Sequence, residues 1–220
     1  MLTVRDLYDL SHTRARALLE NTTYPWEALD QIGATVCQIG ETLDPQLYDQ
    51  LQPQVWVARS ASVAPTATLI GPCIIGERTE VRPGAYIRGN VLVGDDCVVG
   101  NSTELKNVIL FNHVQVPHYN YVGDSILGWR SHMGAASITS NVKSDKTPVV
   151  IRCGEECIMT GRKKVGAMLG DGVEIGCGSV LNPGTVIGRD SRVYPLTSVR
   201  GVIPAGHILK QNGACVPIQN

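Results

Sequence analysis

CIIGERTEVRPGAYIRGNVLVGDDCVVG, residues 73–100, obeys one rule: an aliphatic residue recurs every six positions, at Ile75, Val81, Ile87, Val93 and Val99. The rule extends outward on both sides, to Val57, Val63 and Leu69 before it and to Leu105 after it. Four positions after each of these sits a mostly small residue, as at Cys73, Thr79, Ala85 and Cys97. A second run follows the same rule through Leu169, Ile175, Leu181, Ile187, Val193 and Val199, accompanied by Ser179, Thr185, Ser191 and Thr197. Neither a period of 3.6 nor a period of 2 yields this spacing. It describes short strands joined by tight corners, each six-residue unit forming one flat side of a coil with its aliphatic residue pointing inward. Three sides close a triangular coil, and stacked coils bury a continuous core that no single repeat buries alone.

The chain bounding this pattern has 220 residues, enough for one sizeable domain with a small appendage. Nineteen basic against twenty acidic residues leave a formal net charge of -1, so bulk charge gives no reason to expect nucleic acid as a partner. No stretch approaches the roughly 20 apolar residues of a membrane span. The seven cysteines are odd in number and scattered, without a CxxC pair or a signal-like apolar run ahead of them, which predicts a reduced, cytoplasmic protein.

Residues 1–54 read differently. Thr3 with Asp6 three positions later makes a capping box for a first helix. Pro25 opens a second helical pattern, WEALDQIGATVCQIGETL, and DPQLYDQL forms a short third piece before Pro53. The predicted organisation is a helical segment over 1–54, a parallel β-helix over 55–204 and a C-terminal tail over 205–220.

The beat breaks in the middle. Phe111 still fits the first register, but the next members, Tyr121, Leu127 and Met133, arrive two residues early. That slip contains VPHYNYVG, residues 116–123, which puts His118, Tyr119 and Tyr121 into a chain with a single Phe. After Ser140 the hexads vanish until Leu169, and PVVIRCGEECIM reads as two short strands around Gly154, an inserted hairpin arm at about 141–164. Histidine and tyrosine at a register break are ordinarily structural plugs; here rings, amides and lysines gather where the scaffold rule is suspended, which points to a site.

RPGA (82–85), ELK (104–106), HYNYVGD (118–124), GAASITSN (134–141) and TGRKKVGAMLGDGVEIGCGSVLNPGTVIG (160–188) then resemble, in order and spacing, the acetyltransferase half of the bifunctional sugar-1-phosphate nucleotidyltransferase/acetyltransferases, members of the hexapeptide-repeat superfamily. YPWEALDQ (24–31) is similar to the YPWDLL stretch of their archaeal-type members. The resemblance implies a mainly β fold, a left-handed parallel β-helix, assembled as a homotrimer with sites between neighbouring subunits. It implies acetyl-CoA as co-substrate, no metal, and an amino sugar phosphate as acceptor. His118 matches the general base, Tyr121 and Asn141 match residues contacting the amino sugar, and Arg82 and Lys106 match cations holding its phosphate. Lys143 and Lys146 both fall near a further family lysine, and Arg162 and Lys163 of GRKK either steer the phosphates of CoA or decorate an exposed turn.

The chain departs from the bacterial pattern at His132, a candidate substrate contact where those proteins have asparagine, at Ala136 for glycine, and at Val142 for tyrosine. The acceptor sugar, and whether its acceptor atom is an amine or a hydroxyl, stay open. No Gly-rich GxGTRxxP segment occurs in the first fifty residues, so nucleotide-sugar synthesis is not expected. Two other readings compete. A trimeric scaffold or sugar-phosphate-binding protein would keep the fold without turnover. A γ-carbonic-anhydrase-like zinc enzyme would use the five-residue spacing of His113 and His118, with His132 supplying the third nitrogen.

Overall fold

In the computed structural model, which describes residues 1–219, the chain is mainly β, a solenoid of about nine turns with short helices at its start. Asn220, the last residue of the expected tail, lies outside the described residues. Each coil has three faces. The first contains strands Val55–Ala58, Cys73–Ile75, Val91–Val93, Ala167–Leu169, Thr185–Ile187 and Val202–Ile203. The second contains Ser62–Val63, Glu80–Val81, Val98–Asn101, Gln115–His118, His132–Met133, Glu174–Ile175, Arg192–Val193 and His207–Leu209. The third contains Thr68–Ile70, Tyr86–Arg88, Ile138–Thr139, Val180–Leu181 and Ser198–Val199. Neighbouring coils pair in parallel, with Val81 opposite Val99 and Leu69 opposite Ile87.

The six-residue aliphatics form the core: Ile75, Val81, Ile87, Val93, Val99 and Leu105 are all at most 1% exposed. The small residues beside them do polar work. The Thr79 hydroxyl donates to the Gly94 carbonyl at 2.8 Å and that of Thr103 to the Val116 carbonyl at 3.0 Å, which satisfies buried backbone at the corners. Burial pushes the thiols of Cys73 and Cys97 up to about 12, so both stay protonated and inert at neutral pH.

The register slip resolves into two one-residue deletions. Val93 faces Leu110, which faces Leu127, a step of 17 in place of 18. Likewise Leu105 faces Val122, and Val99 faces Val116. Both deletions fall at the same corner, where Glu104–Leu110 and Tyr121–Leu127 run as unbroken seven-residue strands from the third face into the first. The inward residue is therefore Val122 and not Tyr121, and Leu110 replaces Phe111. Phe111 points outward but is covered by Tyr8, ring centroids 5.0 Å apart.

The first face is buried on both sides: Cys73–Ile75, Val91–Val93, Ala167–Leu169 and Thr185–Ile187 are buried at every position, whereas Tyr86–Arg88 alternates. Helix Ile32–Gly40 packs over strands of this face, and Gly40 leaves room for Trp56, whose ring a Cβ there would meet at 2.5 Å. The Thr3 capping box is present, and Pro25 starts a 3₁₀ segment, Pro25–Gln31, that runs into that helix. The third N-terminal piece differs from the helical expectation: Tyr48–Gln52 is a strand, antiparallel to Val55–Ala58, because the chain reverses at Pro53–Gln54. The coil also continues past 204, since His207–Leu209 pairs with Arg192–Val193 and is closed by antiparallel Cys215–Pro217. An antiparallel strand thus caps one face of the coil at each end of the stack.

The arm is a hairpin, Val150–Cys153 against Glu156–Met159, closed at its base by a bridge between Val142 and Lys164. It folds back on the first face, where Val149 and Ile151 are fully buried against Gly184. Cys153 faces Glu156 and Cys157 faces Arg152, so the two thiols point to opposite sides of the hairpin.

Candidate functional site

His118 ends the strand Gln115–His118 at the corner between the second and third faces. Its backbone is held on every side. The N–H donates to Asn120 Oδ1 at 3.1 Å, and the carbonyl accepts from Ala136 at 3.0 Å. The next N–H, of Tyr119, donates to Asn101 at 2.8 Å. Asn120, only 2% exposed, donates in turn to the carbonyls of Gly134 and Ser137, each at 2.9 Å. Below the corner Gly100 has no room for a side chain, since a Cβ would overlap the Pro117 backbone. The exposed imidazole itself has no hydrogen-bond or ion-pair partner among the described residues. A rigid backbone carrying an unengaged ring is a suitable mount for proton transfer.

Three residues on, the third face carries a polar cluster. Asn141 Nδ2 donates to the Tyr121 hydroxyl at 3.2 Å and to Asp124 Oδ2 at 2.5 Å. Asn107 Nδ2 donates to Asp124 Oδ1 at 3.0 Å and to the Leu29 carbonyl at 3.2 Å. The Lys106 ammonium stands 3.9 Å from Asp124, whose side chain is 7% exposed. Burial raises the Tyr121 phenol above its ordinary value, against a smaller opposite pull from the Asn141 N–H, so the hydroxyl is neutral and able to donate. Gly123, opposite Lys106, gives Tyr121 and Asn141 the space to meet.

Asp124 and Asn107 did not emerge from the six-residue reading, although a signal exists. Asn90, Asn107, Asp124 and Asn141 recur every 17 residues, the length of the shortened coil, and so stack at one corner. Asn90, Asn107 and Asp124 all have left-handed φ, 54°, 55° and 49°, a conformation that asparagine and aspartate tolerate best after glycine.

The other expected residues are spread out. Arg82 pairs with Glu80 at 3.0 Å, two coils below the His118 corner. His132 lies on the second face, its Nδ1 2.9 Å from Glu174, in a hollow shared with His113, Gln115 and Arg130, apart from the Tyr121 cluster. Lys143 binds Thr147 at 2.6 Å and lines a cleft with Arg152 and Arg200 between arm and coil. Lys146 is exposed on the arm's approach. Arg162 is engaged within the chain, bonded to Asp30 and, at 3.0 Å, to the Glu27 carbonyl, which ties the arm to the N-terminal helices; Lys163 stays exposed. His113 and His118 stand at opposite ends of one strand face, and the described residues of this single chain contain no group of three His, Cys, Asp or Glu able to hold a metal.

Residues 69–165, which contain both the corner and the cluster, match the family described as the GMPPB C-terminal domain. The fold is the left-handed parallel β-helix that the motif resemblance implies. It is 39% identical over 111 residues to the bifunctional protein GlmU of Methanococcus maripaludis strain C5, covering 50% of this chain and 27% of that protein. It is 33% identical over 176 residues to the bifunctional protein GlmU of Nostoc sp. strain PCC 7120, covering 74% of this chain and 37% of that one. The chain therefore spans between about a quarter and little more than a third of the length of these relatives. A solved hexapeptide transferase family protein from Anaplasma phagocytophilum superposes with a TM-score of 0.42 at 15% identity, covering 76% of this chain and 81% of that one. A superposition that loose adds nothing to the topology above.

Proposed function

We propose that this protein is an acetyl-CoA-dependent acyltransferase that acetylates the amine of an amino sugar phosphate resembling glucosamine-1-phosphate. The observation that carries the reading is the unengaged His118 ring on a fixed corner, three residues ahead of Tyr121 and its cluster with Asn141 and Lys106. Similarity to the bifunctional GlmU proteins supports it, as does the name of a Sulfurisphaera tokodaii relative, a bifunctional sugar-1-phosphate nucleotidylyltransferase/acetyltransferase, 30% identical over 128 residues. In this reading the protein is cytoplasmic and homotrimeric, with its site completed between subunits.

The chemistry is one addition and one elimination. The sugar amine attacks the thioester carbonyl, forming a C–N bond. His118 takes the proton that the nitrogen sheds, which suits an imidazole because its ordinary pKa lies near neutrality. The tetrahedral intermediate collapses with loss of the C–S bond, and the departing thiolate of CoA recovers the proton from the imidazolium. Lys106 and Arg82 balance the acceptor's phosphate, while Tyr121 and Asn141 orient the sugar.

Thiol release from acetyl-CoA across amino sugar phosphates tests this directly. His118→Ala is expected to lower kcat by about 10² or more. A variant as fast as the wild type would sink the mechanism. Failure of acetyl-CoA to bind at all would favour the scaffold reading, and one zinc per chain, lost on changing His113, would favour the anhydrase one.

A further inference from the structure

We infer that Asp124 is a positioning residue: it fixes which end of the Asn141 amide, and through it which end of the Tyr121 hydroxyl, faces the acceptor. The identity of that acceptor rests on the proposed function; the orientation does not. An asparagine amide presents two N–H donors at one end and a carbonyl acceptor at the other, and the two orientations are almost identical in shape. Only a neighbour of fixed polarity distinguishes them. An ionised carboxylate is such a neighbour, because it accepts and never donates.

Asp124 is buried between two amides of the 17-residue ladder, receiving Asn107 on Oδ1 and Asn141 on Oδ2, with Lys106 beside it. Asn107 is held from its other side by the Leu29 carbonyl, so it too must present N–H groups. With Nδ2 turned to Asp124, the second N–H of Asn141 reaches the Tyr121 oxygen at 3.2 Å. A phenol oxygen that accepts this bond must direct its own O–H elsewhere, toward the open side of the face. The site consequently offers an acceptor, Asn141 Oδ1, a donor, the Tyr121 O–H, and a cation, Lys106. An acceptor substrate must then bring a donor to Asn141 and a lone pair to Tyr121. The reverse polarity leaves two donors or two acceptors facing each other, which is a strong basis for discrimination. With an amide donor in place of that carboxylate oxygen, Asn141 turns its Oδ1 inward, and the Tyr121 hydroxyl donates to it in place of the ligand.

Asp124→Asn conserves shape and reverses the polarity that Asn141 meets, because its Oδ1 must take the Asn107 N–H and its Nδ2 then faces Asn141. Two readouts separate positioning from folding. The first is the Asn141 side-chain amide in ¹⁵N–¹H spectra, identified by its disappearance in Asn141→Ala. It should be protected from exchange in the wild type and should exchange about tenfold faster or more in Asp124→Asn. The second is steady-state thiol release with glucosamine-1-phosphate and acetyl-CoA. The KM for the sugar should rise about tenfold while that for acetyl-CoA moves less than about twofold. Adding Asp124→Asn to Tyr121→Phe should then cost almost nothing further, because both changes remove the same outward donor.

An unchanged Asn141 amide signal overturns the inference even if activity falls, and so do additive penalties in the double variant. Wild-type protein that releases no thiol refutes the acetyl-transfer reading alone, and the amide signal then decides the role of Asp124. Should Asp124→Asn fail to fold, Asp124→Ser, whose smaller side chain still accepts from Asn107, gives the same readouts.

Discussion

A single hydroxyl tests the candidate site at the scale of the residue. Tyr121 is half-buried, neutral and bonded to Asn141, and Phe in its place keeps the ring while deleting one outward donor. Tyr121→Phe should raise the KM for glucosamine-1-phosphate about tenfold and leave the melting temperature within about 2 °C, as measured by thiol release and calorimetry. The motif resemblance singles out His118, Tyr121 and Asn141 as expected site residues, and the structure brings the latter two together near Lys106. Asp124 was hidden because a six-residue comb is blind to a ladder spaced at 17. Arg162 shows a different limit: a basic run shows charge, but only the folded chain shows that Asp30 and Glu27 engage the guanidinium.

Elements carry their own signature, and here it lies in the number of consecutive apolar residues. CII, VLV, AML and TVI mark strands buried on both sides, whereas YIR marks one buried on a single side. The six-residue rule identified the inward member of each strand but left the second buried position unread, since periodicity alone does not say what covers a face. The covering elements are pinned to the coil by Asp171. Its carboxylate accepts from the backbone N–H of Asp9 at 2.7 Å and from that of Trp129 at 2.8 Å. Nearby, His12 stacks on Trp129 with centroids 4.3 Å apart. Asp171→Asn turns an amide donor toward one of two backbone donors and should cost about 1–3 kcal/mol in urea denaturation.

The same group predicts a pH dependence. Burial holds the Asp171 carboxyl above its ordinary value of 3.8, outweighing the opposite pull of those two N–H donors. The folded state therefore binds this proton more readily than the unfolded chain. The contribution is fully present below 3.8 and is lost as pH rises through the raised value. Wild type should gain stability relative to Asp171→Asn on going from pH 7 to pH 4. Asp6, Asp9 and Asp96 run the other way, their carboxyls held down by hydrogen bonds from Thr3, Ser11 and Arg78, but they are common to both proteins and cancel in the comparison. A difference that stays flat across this range would refute the assignment.

At the scale of the whole molecule, the solenoid is incomplete without the segments that lie on it. Ile74, Leu92, Ile109 and Ile126 project from the first face away from the coil interior, yet each is at most 1% exposed. Helix Ile32–Gly40 and Tyr8 cover this face from one end, and the arm covers it from the other. These two pieces also meet each other, through Arg162 with Asp30 and through the Met1 ammonium with Glu156 at 2.8 Å. Burying such a side chain stabilises by about 1.5–3 kcal/mol, so a row of them makes the covering segment a component of the core. Its removal would expose a flat, aliphatic strip of parallel strands, a surface that monomeric proteins rarely leave open. A chain beginning at residue 45 should therefore associate beyond the state of the full chain, giving larger species in sedimentation velocity runs. Leu92→Lys in that truncated background should reverse the association, because a charge in the middle of the strip must stay hydrated. Equal association states and melting temperatures for the truncated and full chains would show that the coil stands alone and that the N-terminal helices are an accessory to it.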